Sequence, residues 1–116
     1  MSALTAFDQR LLERAVDSIR EIEPSARLIL FGSRARGEAR EDSDWDVLVL
    51  LEGALAANRV AAVRRRLYEI EWETGYLLSV IVRSSRDWNS SLTKATPFYR
   101  NVEREGVEVC PTAARG

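Results

Sequence analysis

Apolar residues at Leu4, Phe7, Leu11, Leu12, Ala15, Val16, Ile19 and Ile22 recur in steps of three and four. That spacing predicts a helix with one apolar stripe, stopped by Pro24. ARLILF, 26–31, is a short apolar run rich in strand formers and too short for a helix. The polar stretch GSRARGEAREDS separates it from DWDVLVLLE, 44–52, which ends in a continuous apolar run. Such a run is expected of a strand covered on both faces. After Gly53, residues Ala56, Val60, Val63, Leu67 and Ile70 step by four, three, four and three, an amphipathic helix running to about Thr74. Gly75 caps it, and YLLSVIV, 76–82, reads as a third strand.

Residues 83–94 are polar, with Trp88 and Leu92 as expected anchors. Thr96 then caps a helix that begins at Pro97 and ends at Gly106. VEVC has the make-up of a last short strand, and PTAARG is expected to be a frayed tail. The order α-β-β-α-β-α describes an α/β (α+β) fold, helices packed on a small mixed sheet.

Composition narrows the chemistry. A chain of 116 residues is the size of one domain, 1–116. Seventeen basic residues against eighteen acidic leave no positive field to hold a nucleic-acid backbone, which argues against nucleic acid as a partner. The triplet Arg64-Arg65-Arg66 reads as a solvated helix face. Histidine is absent, which excludes Ser-His-Asp and Cys-His catalysis and argues against zinc. Cys110 is the single cysteine, so no internal disulfide forms. No apolar run reaches eighteen residues and the N-terminus lacks a signal-like pattern; the expectation is a cytoplasmic protein with no membrane partner.

Asp44 and Asp46 need a physical reason. Side chains two apart on a strand share a face, so the two carboxylates project together while Trp45 and Val47 point the other way, Trp45 into the core. Paired carboxylates repel unless a cation lies between them, and a small set of oxygen ligands suits Mg²⁺ completed by a phosphate and water. The preceding turn fits a phosphate. Gly32 permits close approach, the Ser33 hydroxyl and backbone amides can hold oxygens, and Arg34 and Arg36 add positive charge. Each feature alone is most often an ordinary solvated turn; their order between two buried strands is what suggests a phosphate held with a metal ion.

The pattern Gly32-Ser33-x-x-Arg36-Gly37 followed by Ser43-Asp44-x-Asp46, with ten residues between Ser33 and Asp44, resembles the DNA polymerase β-like nucleotidyltransferase superfamily. More narrowly it resembles the minimal nucleotidyltransferases of prokaryotes, antitoxins paired with HEPN-domain toxins. The resemblance covers most of the chain, including the PFYRNVEREG segment. It implies a polymerase β-like nucleotidyltransferase fold and a nucleotide site at Gly32, Ser33 and Arg36. It implies Asp44 and Asp46 as catalytic residues and as ligands of one or two Mg²⁺. The implied reaction moves AMP from ATP to a hydroxyl of a HEPN-domain protein partner.

That superfamily supplies a third carboxylate on the next strand, where this chain has only YLLSVIV. Leu77 or Ser79 is expected in its place, and Glu71 and Glu73 are expected to be surface charges rather than substitutes. Two other readings follow: an antitoxin that works by binding alone, and a nucleotidyltransferase for a small molecule such as an antibiotic. Trp45, Trp72, Trp88, Phe98 and Tyr99 are the aromatic residues open to an interface role. Arg83 and Arg86 are read as solvated loop residues.

Overall fold

The structure, a computed structural model, describes residues 4–40 and 43–112. Glu41 and Asp42 of the polar loop and residues 113–116 of the expected frayed tail lie outside them; Thr112 of that tail is instead held in place, its N–H donating to the Asp17 carboxylate at 2.9 Å. Helix α1, Ala6–Ile22, starts at a reciprocal capping box between Thr5 and Asp8 and buries Leu11, Leu12, Ala15, Val16 and Ile19. Strand β1 is Arg27–Phe31, and the one-turn helix α2, Ser33–Arg36, follows it directly. Strand β2, Trp45–Leu51, leads to the long helix α3, Ala57–Thr74, closed by the left-handed Gly75. Strand β3 is Leu78–Ser84; after it come the short helices α4, Ser85–Trp88, and α5, Ser91–Lys94. Helix α6, Pro97–Glu105, and strand β4, Val107–Val109, complete the described chain.

The four strands form one mixed sheet in the order β3-β2-β1-β4. The β1–β2 and β1–β4 pairs are antiparallel, and β2–β3, joined through α3, is parallel. One face carries Leu28, Leu30, Trp45, Val47, Val49, Leu51 and Val82 and is covered by the apolar stripes of α1 and α3. The other carries Ile29, Leu48 and Leu50 and is covered by Trp88 of α4 and Val102 of α6, with Phe98 and Tyr99 against Trp88. Burial on both sides explains why β2 reads as an almost unbroken apolar run.

Several expectations need correction. The third strand begins at Leu78 rather than Tyr76. Side chains hold the connection after Gly75: the Tyr76 N–H donates to the Thr74 hydroxyl oxygen (3.2 Å) and the Leu78 N–H to the Glu71 carboxylate (2.7 Å). At its other end the strand continues through Arg83 and Ser84, paired with Leu50 and Leu51, so Arg83 is a strand residue and not a loop residue. Leu92 is 81% exposed, because Trp88 with Val102, Phe98 and Tyr99 of α6 covers that face of the sheet and the short α5 buries no residue. Phe7, expected on the buried stripe, is half exposed and packs on the Tyr76 ring instead. Arg64 and Arg66 are more than a solvated face: Arg64 donates to the Val80 carbonyl, and Arg66 pairs with Glu21 on α1. Among the described residues, no helix is long and apolar enough to cross a membrane.

Candidate functional site

Asp46 is the second residue of β2 and lies between Phe31 of β1 and Ser79 of β3 in the sheet register. It shares its face with Leu48 and Leu50, but α4 and α6 cover that face only further along the strand. Its neighbour Trp45 faces the other way, fully buried among α1 and α3 residues. Asp44 stands just before β2, exposed, and its charge reaches Asp46. Burial first, then the Asp44 charge, push the Asp46 carboxyl above its usual range; Arg36 and the Ser79 hydroxyl pull the other way. Among the described residues, neither aspartate is in a salt bridge. The pair therefore concentrates negative charge at the mouth of the sheet, which Arg36 and Ser79 offset only in part.

Gly32 links β1 to α2 at φ 78° and ψ −159°, a conformation costly to any residue with a Cβ. A Cβ there would lie 2.2 Å from Asp46 Oδ2. The sequence reading gives Gly32 a bare backbone so that a ligand can approach; what approaches most closely in the structure is the Asp46 carboxylate. The turn and the strand are thus built against each other, and Ser33 follows as the first residue of α2.

The two arginines divide. Arg34 turns to the Trp45 side of the sheet, with its guanidinium carbon 4.3 Å from the ring centroid, and donates to the Ser43 carbonyl at 2.8 Å. It clamps the entrance to β2 on the Trp45 side, bonded to the residue just before Asp44, while Arg36 is the arginine whose charge reaches Asp46. Arg36 lies on the aspartate side, where it donates to Glu38 (2.8 Å) and to Glu105 (3.0 Å).

Glu105 was not legible as a site residue. Its Oε2 accepts from the Gly32 N–H at 2.9 Å as well as from Arg36, and its side chain is only 12% exposed. The reason is register. Leu30 pairs with Val107 across the antiparallel β1–β4 ladder, so two residues beyond each lie Gly32 and Glu105. No local pattern announces this, because it depends on β4 docking beside β1.

Of the two residues expected where a third acid would stand, Ser79 is the one opposite Asp46. Leu77 precedes β3, is 61% exposed, and accepts from the Trp45 N–H through its carbonyl (2.9 Å), which seats it beside Asp44. Glu71 secures the start of β3, and Glu73 pairs with Arg14 on α1, so neither serves the aspartates. Among the described residues, no three or more Asp, Glu, His or Cys side chains are grouped to hold a metal ion. Two crowded carboxylates with a hydroxyl alongside nevertheless fit a hard divalent cation whose shell a phosphate and water complete.

Residues 12–107 match the family described as the nucleotidyltransferase domain. The chain belongs to this family. The nucleotidyltransferase is 34% identical over 83 residues to a Methanocaldococcus jannaschii protein assigned as a protein adenylyltransferase, covering 72% of this chain and 77% of that one. Its fold is similar to that of a crystal structure assigned as a nucleotidyltransferase from Sulfolobus solfataricus, with TM-score 0.59, 20% identity, and coverage of 90% and 81%. It is also similar to a chain of the tri-AMPylated Shewanella oneidensis HEPN toxin in complex with MNT antitoxin. There the TM-score is 0.51 at 19% identity, with coverage of 92% and 76%. A polymerase β-like arrangement of a small mixed sheet and flanking helices is what these matches share with the nucleotidyltransferase.

Proposed function

We propose that this nucleotidyltransferase is an MNT-type antitoxin that transfers AMP from ATP to a hydroxyl of a HEPN-type toxin. The observation that carries the reading is the crowded Asp44–Asp46 pair, with Asp46 packed directly against Gly32 of the phosphate turn. The likeness to a protein adenylyltransferase and to an AMPylated toxin complex supports the choice of nucleotide and acceptor.

In this reading Asp44 and Asp46 are the catalytic carboxylates and would hold Mg²⁺, while Ser33 and Arg36 hold the outer phosphates and Gly32, its N–H engaged by Glu105, shapes the turn of the nucleotide site. Bound there, the cation supplies neutralisation of the charge on the attacking and leaving oxygens. Asp46 on the rigid start of β2, with Asp44 just before it, would fix the place of that cation beside the phosphate turn. The acceptor oxygen forms a bond to the α-phosphorus, the bond to the bridging oxygen breaks, and pyrophosphate leaves. The hydroxyl proton passes to solvent or to a group of the partner, since Ser79 is a poor base near neutral pH.

The chain itself has little with which to hold an acceptor, but it exposes large apolar side chains. Leu77 is beside Asp44, and on α3 Trp72 and Tyr68 line an exposed groove with Glu69 and Glu73. A protein surface is the partner that such a patch fits.

The test is transfer of label from α-labelled ATP to a co-purified toxin. The double variant Asp44→Asn/Asp46→Asn is expected to abolish labelling, and undiminished labelling would remove the proposal. Ser79 in place of an acid favours a second reading, an antitoxin that acts by binding alone. It predicts that the same variant still suppresses toxicity.

A further inference from the structure

The Glu105 carboxylate makes two hydrogen bonds at the turn proposed to hold phosphates, one from the Gly32 N–H and one from Arg36. Both donors are of the kind that bind anions: a backbone amide in a tight turn and a guanidinium. A protein carboxylate therefore occupies part of the place assigned above to a polyphosphate. On the side of the aspartates the surroundings disfavour another negative charge. Glu105 adds to the repulsion on Asp46, and Asp44 is close by. Its position is not that of a surface glutamate that happens to reach Arg36. The side chain is largely buried, the β1–β4 register fixes it, and Gly106 after it passes so near Ile29 and Val102 that any Cβ would clash.

We propose that Glu105 is a positioning residue that acts as an internal anion: it holds the Gly32 amide permanently and Arg36 until a polyphosphate takes Arg36 over. The inference rests on the phosphate role proposed for the turn. Two consequences follow from one placement. The amide bond keeps the turn in the shape that accommodates Asp46. The Arg36 bond must be surrendered, so the same charge opposes a polyanion that arrives without a cation.

Titration with tripolyphosphate in EDTA probes this, because that ligand has neither base nor sugar and needs no transfer activity. Glu105→Gln keeps a carbonyl oxygen for the Gly32 N–H but removes the charge. It is expected to bind tripolyphosphate about tenfold more tightly than the wild type, the change that a loss of roughly 1.4 kcal/mol of opposition produces. Equal or weaker binding would overturn the proposal. A second readout needs no variant. In the wild-type protein, saturating tripolyphosphate is expected to move the Arg36 Nη1–H resonance, the donor to Glu105, while the Gly32 amide keeps its protection from exchange. An unmoved Arg36 signal would equally overturn it. Failure of AMP transfer to a toxin, by contrast, would count against the function proposed above and leave this anion exchange intact.

Discussion

At the scale of single residues, Asp46 shows a site group held against its own stability. Burial and the Asp44 charge raise its pKa in the folded protein. A raised carboxyl contributes stability that is full below the ordinary range, about pH 4, and lost as pH rises through the elevated value. At neutral pH the ionised side chain therefore weakens the metal-free fold. Asp46→Asn is expected to raise the thermal midpoint at pH 7 in EDTA, and the advantage should shrink to nothing below about pH 4. A lower midpoint at pH 7 would mean that the carboxylate is compensated by something other than a cation. Gly32 belongs to the same local compromise. Its positive φ and missing Cβ are needed because Asp46 Oδ2 fills the space beside it. The sequence motif singles out both Gly32 and Asp46 and suggests contact through a ligand, where the structure has direct packing.

At the scale of elements, legibility followed the range of the interactions. Helix α1, β1, β2 and α3 were readable because their signals are local: apolar steps of three and four, short apolar runs, and glycine or proline at the ends. The start of β3 was misplaced by two residues, since Glu71 and Thr74 side chains replace ladder bonds there. Leu92 was misjudged for a related reason. Only the docking of α4 decides that Trp88 fills the gap, and a short polar segment carries no periodicity from which to infer that. Glu105 was invisible because its neighbourhood is created by β4 pairing with β1, across 73 residues of sequence to Gly32. The passage from α6 into β4 is tight: a Cβ on Gly106 would lie 2.5 Å from the Val102 carbonyl oxygen and 2.9 Å from Ile29 Cγ2. Gly106→Ala is thus expected to cost about 1–3 kcal/mol, as overpacking of a core does. Urea denaturation checks this, and wild-type stability would show that α6 can shift without penalty.

At the scale of the whole molecule, the sheet separates two tasks. One face is sealed by α1 and α3 and holds the largest buried side chains, Trp45 among them. The other is covered by α4 and α6 only in part, and leaves Asp46 and Ser79 at its open end. Of the aromatic residues considered for an interface, Trp45 and Trp88 are buried and Phe98 and Tyr99 pack on Trp88, whereas Trp72 is 81% exposed. If the acceptor is a protein, Trp72→Ala combined with Leu77→Ser should weaken the complex at least about tenfold, typical for loss of exposed aromatic anchors. The same variant should bind ATP as the wild type does. Calorimetry with the purified toxin measures the first and with nucleotide the second; loss of both would indicate damage to the fold rather than to a docking surface. The most direct test of the central claim is the affinity for ATP measured with Mg²⁺ and again with EDTA, in the wild type and in Asp44→Asn/Asp46→Asn. The account predicts that Mg²⁺ tightens binding to the wild type and has no such effect on the variant. Equal enhancement by Mg²⁺ in both proteins would contradict it.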